Sequence, residues 1–216
     1  MTTALESPPS KAAVVEESLI GIAILRGIAK ADAMHRMWSN GYWLSDAGIE
    51  NIMQTYVAEA CFEALGPRGL FVHPKGALKG FFGRDDEETR RADLMIADVD
   101  EKPVYIVELK RGGKWYGRDT QKIFDAMIGY RHRSKRRIKA AFWGAFVIWH
   151  SGQRKCKGIA DAIEATKENL RSTLNEPRLR IQWDTRDLPA VDWTYDDGST
   201  ARWEGAALVA TITRRD

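Results

Sequence analysis

The sequence predicts a mixed α/β domain whose core runs helix, strand, strand, strand, helix, strand, with a helix added at the N-terminus and strands added at the C-terminus. Three observations carry that prediction. Apolar residues recur at helical spacing from Asp46 to Leu65, and the stretch from Arg91 to Lys110 divides into two apolar segments about a short polar turn. Ala145-Phe146-Val147-Ile148-Trp149-His150 has the apolar density of a strand inside a sheet.

Each element has its own local justification. Met1 to Val15 is rich in Thr, Ser, Pro, Glu and Ala and is expected to be a disordered tail, leaving residues 16–216 as one domain with its core at about 46–184. Leu19 to Ala29 is strongly apolar but about half the length a membrane-spanning helix needs, so a packed or partner-facing helix is expected. In the first core helix Ile49, Ile52, Met53, Tyr56, Val57, Ala60, Ala64 and Leu65 share the apolar stripe after a cap at Ser45 or Asp46. Gly66-Pro67-Arg68-Gly69 stops it, and Leu70 to His73 is a short strand. Gly80 to Thr89, polar and acidic, reads as an exposed loop. Asp119 to about Tyr130 is amphipathic and reads as the second core helix. Gly158 to Leu174 adds a helix, Leu179 to Trp183 a strand, Trp193 to Trp203 a hairpin, and Ala207 to Thr213 a last strand whose place in the sheet the sequence leaves open.

The chemistry gathers in the middle of the chain. Arg91-Ala92-Asp93-Leu94-Met95-Ile96-Ala97-Asp98 and Val104-Tyr105-Ile106-Val107-Glu108-Leu109-Lys110 flank Asp98-Val99-Asp100-Glu101-Lys102-Pro103, a turn-like run in which Pro103 is free to begin a strand. A hairpin here returns Asp93 to the Glu108/Lys110 end. Glu108 and Lys110, two residues apart in a strand, point to one face. Two carboxylates suit a hard divalent cation such as Mg2+ or Mn2+, and a neighbouring ammonium can activate water and offset charge building on phosphorus. Phosphodiester hydrolysis is the reaction this trio fits best. The same residues would also serve as a strand-end ion pair in which Lys110 neutralises Glu108.

Asp93, a gap and then Glu108-Leu109-Lys110, set on the second and third strands, resemble the signature of the PD-(D/E)XK, or restriction-endonuclease-like, nuclease superfamily. Ala92 stands where the motif's name has Pro. The resemblance implies a restriction-endonuclease-like mixed β-sheet in αβββαβ order flanked by helices. It implies a Mg2+-dependent nuclease, with Mn2+ as substitute, cutting DNA as endo- or exonuclease. Asp93 and Glu108 would hold the metal and Lys110 would position the water. It further implies Glu59 of the first core helix as an additional metal ligand, with Glu63 as its rival, and Gln121 of the second core helix as a group orienting the site. Asp98, which strand alternation puts on the face opposite Asp93, reads as a salt-bridge or turn residue and is left out of the metal set.

Composition narrows the partners. Net charge is only +3, yet Arg111, Lys114, Arg118, Lys122, Arg131, Arg133 and Lys135 crowd the stretch after Lys110, a segment able to follow a phosphate backbone or simply to face solvent. DNA is the expected partner, RNA a second one, and a homodimer is compatible with cutting both strands. Trp115 is a candidate for stacking on a base. Two cysteines, Cys61 and Cys156, make neither a disulfide framework nor a zinc set. Glu16 and Glu17 precede the apolar run and argue against a secretory signal, so a cytoplasmic protein without a membrane partner is expected. A catalytically inactive nucleic-acid-binding or assembly module of the same fold, and a self-associating interaction module, remain the competing readings.

Overall fold

A computed structural model describes residues 11–39, 41, 50–75, 91–111, 117–128 and 138–215, the side chains of 11–14, 118 and 119 excepted. Its elements are α1 (Lys11–Trp38), α2 (Glu50–Leu65), β1 (Phe71–Pro74), β2 (Leu94–Ala97), β3 (Pro103–Arg111), α3 (Gly117–Met127), β4 (Ala140–His150), α4 (Ile159–Leu174), β5 (Leu179–Thr194) and β6 (Thr200–Arg214). The six strands form one mixed sheet in the order β1-β2-β3-β4-β6-β5. Only β3 and β4 run parallel, with α3 in the connection between them; the other neighbours are antiparallel.

Alternation along the strands sorts two cores onto two faces. Leu94, Ile96, Tyr105, Val107, Leu109, Phe142 and Phe146 pack with Ile20, Ile24 and Ile28 of α1 and with Met53 and Val57 of α2. Met95, Ala97, Ile106, Trp143, Ala145 and Leu208 pack with Ile123 and Met127 of α3 and with Ala162, Ile163 and Leu170 of α4. Strand β4 is buried on both faces through its first eight residues, which is why it reads as an unbroken apolar run.

Close backbone approach sets the first layer. A Cβ on Gly27 of α1 would lie 2.5 Å from the Val57 Cα and 2.8 Å from the Tyr56 carbonyl oxygen, so glycine is what lets α1 cross α2 at this distance. In the sheet, a Cβ on Gly144 would meet Ile24 at 2.8 Å and Leu109 at 2.9 Å, which seats α1 directly on β4.

Several expectations change in extent. Helix α1 begins at Lys11, so Lys11 to Val15 belong to it and not to a tail; the Glu16 carboxylate, accepting from the Tyr105 hydroxyl at 2.7 Å and 3.5 Å from the Lys139 ammonium, ties this end to the sheet. Residues 1–10, the cap at 45–46 and the 80–89 loop lie outside the described residues. At the C-terminus the short strands expected from the sequence are two long ones, and both join the main sheet. Pairing with β6 carries β5 through the charged run Asp184 to Asp187, and its register shifts between Leu188 and Val191, where Pro189 sits in an edge strand that tolerates its missing donor. No described helix is long and apolar enough to cross a membrane.

Candidate active site

The β2-β3 hairpin is built by its turn. The Asp98 carboxylate accepts from the backbone N–H groups of Asp100 and Lys102, both at 3.0 Å, and Glu101 takes a positive φ of 57°. Asp98 is therefore a turn residue, as its position suggested. Leu94 pairs with Val107 across the hairpin, and one further step of the register sets Asp93 opposite Glu108. Alternation then directs Glu108 to the α3/α4 face, whereas Asp93, in the bend just before β2, turns its carboxylate to the backbone of β3.

Asp93 is 8% exposed and held from four directions. Its Oδ2 accepts the Leu109 backbone N–H at 2.8 Å and its Oδ1 accepts the Lys75 ammonium at 3.0 Å. Its carbonyl oxygen accepts the Gln54 side-chain amide at 2.5 Å and the Lys75 backbone N–H at 2.8 Å. Glu108 is completely buried, and the Lys122 ammonium lies 2.9 Å from its Oε1. Lys122 also donates to the Arg91 carbonyl at 3.2 Å, which fixes α3 over the hairpin. Lys110, its side chain mostly covered, lies 3.4 Å from Oε1 of Glu50 at the start of α2.

Three carboxylates (Asp93, Glu108, Glu50) thus meet three ammoniums (Lys75, Lys122, Lys110). Burial makes the charges costly unless paired, and the pairing offsets that cost. Carboxylate oxygens are the ligands a hard divalent cation prefers, and those of Asp93 and Glu108 are already aimed at positive centres. Among the described residues no group of three or more His, Cys, Asp or Glu forms a ready cage. A Mg2+ held by Asp93 and Glu108 would therefore complete its shell with water and substrate oxygens, which is its usual habit.

Two auxiliaries expected from the resemblance point elsewhere. Glu59 is half-exposed and accepts from the Lys30 ammonium of α1 at 2.6 Å, a bond that holds Lys30 above its ordinary pKa. Glu63 likewise pairs with Arg26. The helical phase explains this: Glu59 follows Gln54, the residue of α2 that touches Asp93, by five positions, about 140° around the helix. Glu50, one turn before Gln54, is the α2 carboxylate that reaches the site. Gln121 is exposed and donates to Asp125 at 2.8 Å, while its neighbour Lys122 turns inward.

Sequence reasoning did not assign Lys75 and Glu50, and it placed Lys122 among substrate contacts when its ammonium faces Glu108. A signal existed for the first, since β1 pairs Pro74 with Leu94 and so carries Lys75 to Asp93, but that register is invisible without the fold. Arg111 is half-buried at the end of β3; the side chain of Arg118, and Lys114, Trp115, Arg131, Arg133 and Lys135, lie outside the described residues. Cys61 is buried, and burial pushes its thiol up to about 12; Cys156 is a free, partly exposed thiol. No protein-family model, no curated protein and no solved structure matches this chain.

Proposed function

We propose that the protein is a metal-dependent nuclease of the PD-(D/E)XK type that hydrolyses phosphodiester bonds, with DNA as the substrate. The observation carrying this reading is the position of Asp93, at the entry to β2, opposite the buried Glu108 of β3, with Lys110 two residues beyond Glu108. An element order of helix, three strands, helix and a fourth strand parallel to the third is compatible with it.

In this reading Asp93 and Glu108 would hold a divalent cation, and the chemistry it would supply is polarisation of a phosphate oxygen and acidification of bound water. The Leu109 N–H keeps the Asp93 carboxylate in one orientation. Lys110 orients the attacking water and offsets charge on the phosphorus centre, while Glu50 holds the Lys110 ammonium in place. Lys75 and Lys122 balance the carboxylates before substrate and cation enter.

The same lysine pairs favour a second reading, a nucleic-acid-binding module whose internal cations have taken over the metal's charge. Incubating the protein with linear, circular and single-stranded DNA and with RNA, in Mg2+, Mn2+ or EDTA, separates the two. The nuclease reading predicts metal-dependent cleavage that is lost in Lys110→Met. Salt-sensitive binding of DNA with every substrate left uncut would replace it with the binding module.

A further inference from the structure

Next to the site, at the carboxyl ends of the parallel strands β3 and β4, lies a cavity of about 270 Å³. In open, mostly parallel α/β sheets ligands settle outside the carboxyl ends of the strands, and β3 and β4 are the one parallel pair of this mixed sheet. Arg111 is among its lining residues, directly after Lys110 in the chain and paired with Phe146 in the β3-β4 register. Three strand steps separate Glu108 from Arg111, about 10 Å along β3. Among the described residues no carboxylate is paired with Arg111, and a guanidinium is the side chain best shaped to receive a phosphate.

The lining is amphipathic in a particular way. Val147 of β4 and Ala162 of α4 contribute apolar lining, and Gln153 and Asn169 are lining residues whose amides carry both donors and acceptors. A volume just below the usual range for small-molecule pockets suits one planar heterocycle with hydrogen-bonding edges. A cation among the lining residues suits the phosphate attached to it.

We propose that this cavity receives a single unstacked nucleobase of the substrate, with the adjoining phosphate at Arg111. The identity of the ligand rests on the nuclease reading above. A base stacked within a duplex cannot enter such a recess without leaving the helix, so the substrate is single-stranded, frayed or flipped at this nucleotide.

Cys156 lines the cavity and supplies a built-in reporter. The chain has two cysteines, and Cys61 is buried with its thiol pushed up to about 12, so thiol labelling of the folded protein reads Cys156 alone. The test is the rate of Cys156 labelling in EDTA with the four deoxynucleoside monophosphates, with inorganic phosphate and with no addition. A base subsite predicts labelling about tenfold slower at a nucleotide concentration ten times its Kd, no slowing by phosphate, and loss of protection in Asn169→Trp, whose ring fills the cavity from an exposed helix position. Unchanged far-ultraviolet circular dichroism of that variant shows that it has folded. Equal protection by phosphate, or none by any nucleotide, overturns the base subsite. The assay needs neither metal nor cleavage. An uncut DNA with a protected thiol therefore counts against the nuclease reading alone, and metal-dependent cleavage with an unprotected thiol counts against the subsite alone.

Discussion

Lys122→Met tests the electrostatic account of the site most searchingly. Glu108 is completely buried, and the Lys122 ammonium, itself only 17% exposed, lies 2.9 Å from it. Removing one partner of a buried pair leaves an uncompensated charge and costs about 3–5 kcal/mol. Because Lys122 retains some contact with solvent, the lower figure applies. In a domain of this size about 3 kcal/mol lowers Tm by roughly 6–12 °C. Adding Glu108→Gln to Lys122→Met removes the stranded charge, so the double variant recovers most of the loss. That non-additivity is the signature of direct coupling. Urea unfolding followed by tryptophan fluorescence measures all three variants. A Lys122→Met cost below about 1 kcal/mol, the range of an exposed pair, would refute the reasoning.

Four further outcomes follow from the geometry. Gly27→Ala drives a methyl into the Val57 backbone and lowers stability by about 1–3 kcal/mol despite a gain of about 1 kcal/mol in helix propensity, measured by thermal unfolding. Glu50→Gln lowers kcat of DNA cleavage about 10–100-fold by loosening Lys110, whereas Glu59→Gln leaves kcat unchanged, because Glu59 pairs with Lys30 instead. Glu176, whose carboxyl is held at about 2 by side-chain and backbone hydrogen bonds from Arg178, stays ionised in an NMR titration down to about pH 2; Arg178→Ala removes the side-chain bonds and raises it toward the ordinary carboxylate range, the backbone bond remaining. The sign is that of a depressed acid: what this pair adds to stability is present above about pH 4.5 and disappears as pH falls toward 2. Cys61, unlike Cys156, resists alkylation at pH 8 until the chain is unfolded in urea, as mass spectrometry of the labelled protein will show.

What the sequence made legible was local. Asp98, the acidic turn and Pro103 announced the β2-β3 hairpin, whose register sets Asp93 opposite Glu108. The buried run of β4 announced a central strand by its composition alone. The partners of the carboxylates were not legible, because each arrives through tertiary structure: Lys75 through the β1-β2 register, Lys122 through the docking of α3, and Glu50 through the rotational phase of α2. That phase also explains why Glu59, an equally plausible glutamate on the same helix, faces α1. The length of β5 escaped for a related reason. Its charged middle lacks an apolar pattern, and an edge strand needs none when its hydrogen bonds to β6 carry it.

The central claim is that Asp93 and Glu108 form a divalent-cation centre for phosphodiester hydrolysis. Its most direct measurement is the rate of cleavage of one end-labelled single-stranded DNA across a Mg2+ titration, for wild type and for the isosteric Glu108→Gln, with the Tm of both recorded in the same buffer. The account predicts a rate that saturates with Mg2+ in wild type and cleavage abolished in a Glu108→Gln protein that still unfolds cooperatively. Cleavage that persists in EDTA, or that Glu108→Gln performs as fast as wild type, would contradict it.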